Sequence, residues 1–80
     1  MNALQLKTLL LSVITEIKFG QPLAPNAIGI KNQFKALVEL PKNASNKQVL
    51  SELKRVYIEN GLKADVERIE TKFNIKIHLQ

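Results

Sequence analysis

The sequence predicts an α+β protein, a two-layer sandwich in which two amphipathic helices cover one face of a small, mostly antiparallel sheet. Two observations predict this fold. Apolar residues recur with helical spacing over 3–18 and 46–60, whereas they alternate with polar residues over 28–40 and 73–79. The predicted order is an N-terminal helix, a strand or hairpin, a second helix and a final hairpin. Eighty residues leave room for one small core, so we expect residues 1–80 to form a single domain.

The first predicted helix spans residues 3–18. Gly20 follows its last apolar residue and predicts its end, because glycine tolerates the left-handed backbone that closes many helices. Leu4 and Leu11 lie outside the main apolar stripe, on a flank that they share with Lys7 and Lys18. The residues that form the stripe itself are Leu6, Leu9, Leu10, Val13, Ile14 and Ile17.

A connector and a β-hairpin are predicted next. Residues 21–26 form the connector, because two prolines in this stretch disfavour helix and pre-set extended backbone. Over residues 28–40 the apolar pattern alternates, which is typical of strands. We expect a short hairpin that turns at 31–33, although one long strand also fits the pattern. Pro41 would end this element.

The second predicted helix spans residues 46–60. Ser45 and Gln48 have the spacing of a capping box at its start. Asn60 and Gly61 supply a left-handed C-cap at its end. Its apolar stripe consists of Val49, Leu50, Leu53, Val56 and Tyr57.

The last stretch of the chain has two interpretations. Residues 73–79 alternate strictly between apolar and polar, which predicts a strand with His78 facing outward. Residues 63–70 would form a partner strand, but the apolar spacing there also fits a short helix at 65–73. The strand is preferred because it would pair with 73–79 as a hairpin.

The composition excludes several kinds of site. Without cysteine there is no disulfide and no thiolate ligand or nucleophile, and a single histidine excludes any site that needs two imidazoles. Asp65, Glu67 and Glu70 lie close in sequence, but lysine and arginine interleave with them, which is typical of a solvated charged surface. We therefore expect no catalytic residue, no bound metal and no cofactor, and hence a protein that is not an enzyme.

A surplus of apolar side chains carries the functional prediction. Four large aliphatic residues lie off the predicted core stripes: Leu4, Leu11, Leu37 and Ile58. One such residue carries little meaning, but four in a chain of this length indicate contact surface. We therefore predict a non-enzymatic protein-interaction or assembly module that acts through the first helix and an open sheet face. It would dock on a protein partner or, as we expect, form a homo-oligomer.

The charge balance gives an alternative function. Twelve Lys and Arg against seven Asp and Glu leave a net charge of +5, which suits a small basic nucleic-acid-binding protein. Glu52 and Glu59 weaken the local potential, so this function is less favoured than protein binding. No apolar run approaches the length of a membrane span, so we expect a cytoplasmic protein without membrane contact. The candidate phosphate contacts are Lys42, Lys47, Lys54, Arg55 and Lys63.

Overall fold

The computed structural model describes residues 1–79, and these residues form four helices. The helices are α1 (Ala3–Phe19), α2 (Pro25–Leu37), α3 (Asn46–Glu59) and α4 (Lys63–Phe73). Within residues 1–79 there is no strand and no sheet, so the predicted α+β sandwich is wrong. The predicted open sheet face therefore does not exist in the described part of the chain. The first and third helices follow the prediction, and the other two replace predicted strands.

Both ends of α1 are fixed by local chemistry. The side chain of Asn2 accepts a hydrogen bond from the Gln5 N–H at 2.8 Å, and the Gln5 side chain accepts one from the Asn2 N–H at 3.0 Å. This reciprocal capping box satisfies two backbone donors that a helix start leaves unpaired. At the other end Gly20 adopts a left-handed φ of 67°, as the sequence predicted.

Helix α2 lies where a hairpin or a long strand was predicted, and both of those predictions are wrong. Pro25 stands at the start of this helix, where its fixed φ suits the first turn and its missing N–H costs nothing. The predicted connector consequently ends before Pro25. Ala27 and Phe34 are buried, and Ile30 is half-buried, which is a helical spacing of three and four. The alternating apolar pattern wrongly indicated a strand, because residues four apart share a face in a strand as well as in a helix.

The end of α2 also differs from the prediction. Glu39 adopts a left-handed φ of 59°, and the Leu40 N–H donates to the Lys35 carbonyl at 2.8 Å. This bonding pattern is typical of a Schellman motif, which here forms around a non-glycine residue. The helix therefore ends before Pro41, and Pro41 ends no strand.

Helix α3 confirms the second predicted helix and its caps. The Gln48 N–H donates to the Ser45 hydroxyl at 3.2 Å, and the Ser45 N–H donates to the Gln48 side chain at 2.8 Å. Gly61 follows the helix with a left-handed φ of 75°, and the Leu62 N–H donates to the Tyr57 carbonyl at 2.8 Å. The sequence thus located both ends of this helix correctly.

Helix α4 settles the open choice in favour of helix, so the predicted strand at 63–70 is wrong. Val66 is buried, Ile69 and Phe73 are half-buried, and their spacing of three and four follows one helix face. Asp65 lies in the first turn and Lys72 in the last, which suits the helix dipole.

The four helices enclose one core. Helix α1 packs against α2 and α3, and α3 packs against α4. Asn46 at the start of α3 donates to the Glu16 carboxylate near the end of α1, and it accepts from the Lys31 ammonium at 2.6 Å. Leu6 near the start of α1 and Tyr57 near the end of α3 line one cavity, so α1 and α3 run antiparallel. The buried cluster consists of Leu9, Leu10, Val13, Ile14, Phe34, Val49, Leu50, Leu53, Tyr57, Val66 and Ile77.

Candidate functional site

The candidate site begins with the segment that follows α4, residues 75–79. Ile75 is half-buried and Ile77 is 4% exposed, whereas Lys76 and His78 are exposed. This alternation is typical of extended backbone. The predicted strand is wrong because no other strand pairs with it among the described residues, but the predicted outward orientation of His78 is right.

Three side chains fasten this segment to α3 and α4. The Ile77 N–H donates to Glu70 Oε2 at 2.8 Å, and the Ile77 carbonyl accepts from Lys54 Nζ at 2.9 Å. Lys54 and Glu70 also form an ion pair at 3.1 Å. The Ser51 hydroxyl donates to the His78 carbonyl. The segment is therefore held in place by side chains rather than by a partner strand.

An apolar groove lies between this segment, the end of α1 and the start of α3. We call it the isoleucine groove, and it has a volume of about 350 Å³. Two lysines and the histidine line the groove, and no residue of its lining within 1–79 carries a carboxylate side chain. The lining residues are Ile17, Lys47, Leu50, Ser51, Ile75, Lys76, Ile77 and His78.

Ile17 shows that this groove is an unfilled part of the core surface. Ile17 is the last residue of the apolar stripe of α1, in which Val13 and Ile14 are fully buried. Ile17 is nevertheless 37% exposed, because the groove lies beside it instead of a packed side chain. Exposed apolar surface inside a concave site with a polar rim is a common feature of protein-binding surfaces.

A second cavity, of about 420 Å³, lies at the other end of α1 and has a different character. Its lining includes Asp65 and Arg68, which form an ion pair with each other, as well as Lys7 and Lys72. The charge there is partly compensated within the chain. The isoleucine groove has no such compensation in its described lining, and it is therefore the better candidate.

The four predicted contact residues do not form one surface with this groove. Leu4 is 72% exposed and Leu37 is 61% exposed, while Leu11 and Ile58 are half-buried. Leu37 is exposed on helix α2 rather than on the outward face of a strand. None of the four lines the isoleucine groove.

Two of the predicted basic contact residues, Lys54 and Arg55, form ion pairs with carboxylates of the same chain. Lys54 is half-buried and is bound to Glu70, so it does not lie on the solvent face. Arg55 donates to Glu52 Oε2 at 2.9 Å and also pairs with Glu59. The hydrogen bond to Glu52 raises the pKa of the Arg55 guanidinium above its ordinary value. Both side chains thus have carboxylate partners of their own.

The remaining three predicted contacts are exposed lysines. Lys42, Lys47 and Lys63 form no ion pair within residues 1–79. Of these only Lys47 lines the isoleucine groove, where Lys76 joins it.

Sequence reasoning missed Ile17, Ile75 and Ile77 as site residues because it assigned all three to the core. The alternation at 73–79 did indicate that Ile75 and Ile77 face inward and that Lys76 faces outward. The pattern within one segment, however, carries no signal for the distance between Ile17 and a segment almost 60 residues away.

Three further findings concern metal binding, membrane crossing and similarity to known proteins. In the part of the chain that the structure describes, no group of three or more His, Asp or Glu side chains could hold a metal ion. No helix within residues 1–79 combines the length and the apolar character needed to cross a membrane. Comparison with protein-family models, curated proteins and solved structures finds no match for this chain.

Proposed function

We propose that this chain is a non-enzymatic protein-interaction module and that a partner protein docks in the isoleucine groove. The observation that carries the proposal is the exposure of Ile17, the last residue of the core stripe of α1, in a groove that Leu50, Ile75 and Ile77 also line. A partner side chain placed there would remove apolar surface from water on both molecules, which stabilises the complex by about 25 cal/mol per Å².

The rim of the groove specifies the charge of the partner. Lys47 and Lys76 line it without a carboxylate side chain in the described lining, and the whole chain carries a net charge of +5. An acidic partner would be attracted to this rim, and a basic one repelled. We therefore propose a partner segment that combines apolar and acidic side chains.

A second copy of this chain fits the groove poorly. A two-fold dimer places the same patch of both copies face to face, so Lys47 and Lys76 of one copy would lie against those of the other. The homo-oligomer expected from Leu4, Leu11, Leu37 and Ile58 stays a prediction for a different surface. Nucleic-acid binding and the cytoplasmic location also stay predictions.

Two matched variants on α1 test the proposal. Ile17→Glu places a charge on the groove floor, whereas Leu4→Glu places the same charge on an exposed residue at the other end of the helix. The immobilised wild-type protein, both variants and Lys76→Glu are exposed to a cell extract. Retained proteins are identified, purified and titrated back against each variant.

We expect a directly binding protein that wild type and Leu4→Glu retain and that Ile17→Glu and Lys76→Glu lose, while circular dichroism stays unchanged. Lys76 is exposed, so its variant tests the groove even if Ile17→Glu perturbs folding. Equal binding by all four proteins would contradict the proposal. A dimer in light scattering that only the groove variants dissociate would also contradict it, because the occupant would then be a second copy.

A further inference from the structure

The backbone of residues 75–78 is hydrogen-bonded along one edge and only partly bonded along the other. The Ile75 N–H donates to the Glu70 carbonyl at 2.9 Å, and the Ile77 N–H and C=O bond to Glu70 and Lys54. The N–H and C=O of Lys76 make no hydrogen bond within residues 1–79. In extended backbone the peptide groups of successive residues point to opposite edges, so Lys76 and His78 share the edge that faces away from Glu70. The His78 C=O on this edge accepts from the Ser51 hydroxyl, which leaves the N–H and C=O of Lys76 as its open pair of groups.

The unpaired N–H and C=O of Lys76 offer another strand one pair of main-chain hydrogen bonds. Because the groove lies beside the same segment, one extended partner can fill the groove and pair with the edge at once. Strand addition to an exposed edge takes its affinity from main-chain hydrogen bonds and its specificity from pockets for alternate side chains. A helical partner would leave the Lys76 groups unpaired, because a helix bonds its own backbone internally.

We infer that the partner binds as an extended segment that adds a strand to the Lys76 edge, with alternate apolar side chains in the groove and acidic side chains beside Lys47 and Lys76. This inference rests on the proposed function and deepens it, since it states the backbone form and the side-chain pattern of the partner. The cationic rim is the reason for the acidic residues, and the alternation follows from the geometry of an extended chain.

The experiment uses three fluorescein-labelled heptapeptides, each acetylated and amidated, that alternate valine with glutamate. The first is unmodified. The second carries N-methyl groups on the valine amides, and the third carries them on the glutamate amides. N-methylation removes a hydrogen-bond donor and blocks close approach of the backbone on one edge only, while the side chains stay the same. Binding to the purified 80-residue chain is measured by fluorescence anisotropy.

We expect the unmodified peptide to bind and one N-methylated peptide to bind about tenfold or more weakly, because two main-chain hydrogen bonds of about fivefold each are lost. The other N-methylated peptide should bind like the unmodified one. If both methylated peptides bind like the unmodified one, strand addition is wrong while the proposed groove function stands. If the unmodified peptide does not bind at millimolar concentration, both are wrong.

A charge reversal on the rim tests the acidic part of the inference. Lys76→Glu should weaken the unmodified peptide about tenfold, since an attraction becomes a repulsion. Lys63→Glu changes the net charge by the same amount on an exposed residue outside the groove, and we expect it to change affinity less than twofold. Equal losses for the two variants, with circular dichroism unchanged, would overturn the assignment of the acidic residues to this rim.

Discussion

Lys54 Nζ lies 3.1 Å from Glu70 Oε2, and this pair joins α3 to α4 with side chains that are only 16% and 13% exposed. The same glutamate oxygen accepts the Ile77 N–H, and the same lysine donates to the Ile77 carbonyl. One ion pair therefore holds two helices and the wall of the isoleucine groove together. Removing one partner of a charge pair that is shielded from water costs more stability than removing one on the surface, because the other charge is left without a partner.

Lys54→Met should lower the free energy of unfolding by about 2 kcal/mol, because it leaves the Glu70 carboxylate and the Ile77 carbonyl short of a donor. Urea denaturation followed by circular dichroism measures this loss. Arg55→Met is the matched control, since its carboxylate partners are more exposed, and we expect its unfolding midpoint to stay close to that of wild type. Equal midpoints for the two variants would contradict the role given to the Lys54–Glu70 pair.

Leu10→Ala should lower the free energy of unfolding by about 2–5 kcal/mol, because Leu10 is fully buried and its truncation leaves a cavity. Leu4→Ala, the same substitution on the same helix, removes a side chain that is 72% exposed and should change stability by less than about 0.5 kcal/mol. Denaturant titration of both variants gives the comparison. Similar losses would mean that the N-terminal end of α1 packs against more of the chain than the structure shows.

Gly29→Ala and Gly61→Ala should change stability in opposite directions. Gly29 lies inside α2, where an added Cβ meets no atom within 4 Å, so alanine should stabilise the helix by about 0.5–1 kcal/mol. Gly61 is equally uncrowded but has a φ of 75°, so alanine should cost about 1–2 kcal/mol of strain. Thermal unfolding should show a raised midpoint for the first variant and a lowered one for the second. A lowered midpoint for Gly29→Ala would contradict helix α2.

The chain has one tyrosine and no tryptophan, which makes the ionisation of Tyr57 directly visible in the ultraviolet spectrum. Burial raises the pKa of the Tyr57 hydroxyl above its ordinary value, because a phenolate is poorly solvated there. The folded state then binds this proton more tightly than the unfolded state, so stability from this group is full below about pH 10 and falls as the pH rises further.

The measurement is the tyrosinate absorbance of the native protein and of the urea-unfolded protein as a function of pH. We expect the native midpoint to lie above the unfolded midpoint. A native midpoint at or below the unfolded one would show that Tyr57 is solvated, in conflict with its 5% exposure.

The sequence predicted the helices whose ends carry clear capping residues. Ser45, Gln48 and Gly61 bracket α3, and their side-chain and backbone requirements are met within a few residues. Helix α2, which was missed, and helix α4, for which a strand was preferred over a short helix, have weaker end signals. Pro25 served as a helix start but fits a connector equally well, and Asn74 ends α4 with a left-handed φ of 50° where a glycine would have been a clearer sign.

The sequence predicted only part of the isoleucine groove. The alternation correctly predicted Ile75 and Ile77 as inward and Lys76 and His78 as outward, but it wrongly predicted Leu79 as inward, since Leu79 is 55% exposed. Residues 75–79 have no partner strand within the described part of the chain, because residues 63–73 form helix α4. A strand at 63–70 would have paired with residues 75–79. The position of Ile17 beside the segment depends on the packing of α1 against α3, which no local pattern encodes.

The amide of Lys76 gives the most direct test of how this protein binds. Hydrogen exchange followed by NMR should show fast exchange at Lys76 in the free protein and slower exchange at Ile77, whose N–H is bound to Glu70. With the unmodified valine–glutamate peptide at saturation, exchange at Lys76 should slow about tenfold or more. Unchanged exchange at Lys76 while the peptide is bound would contradict strand addition, and protection of Lys76 equal to that of Ile77 before any peptide is added would contradict the free edge itself.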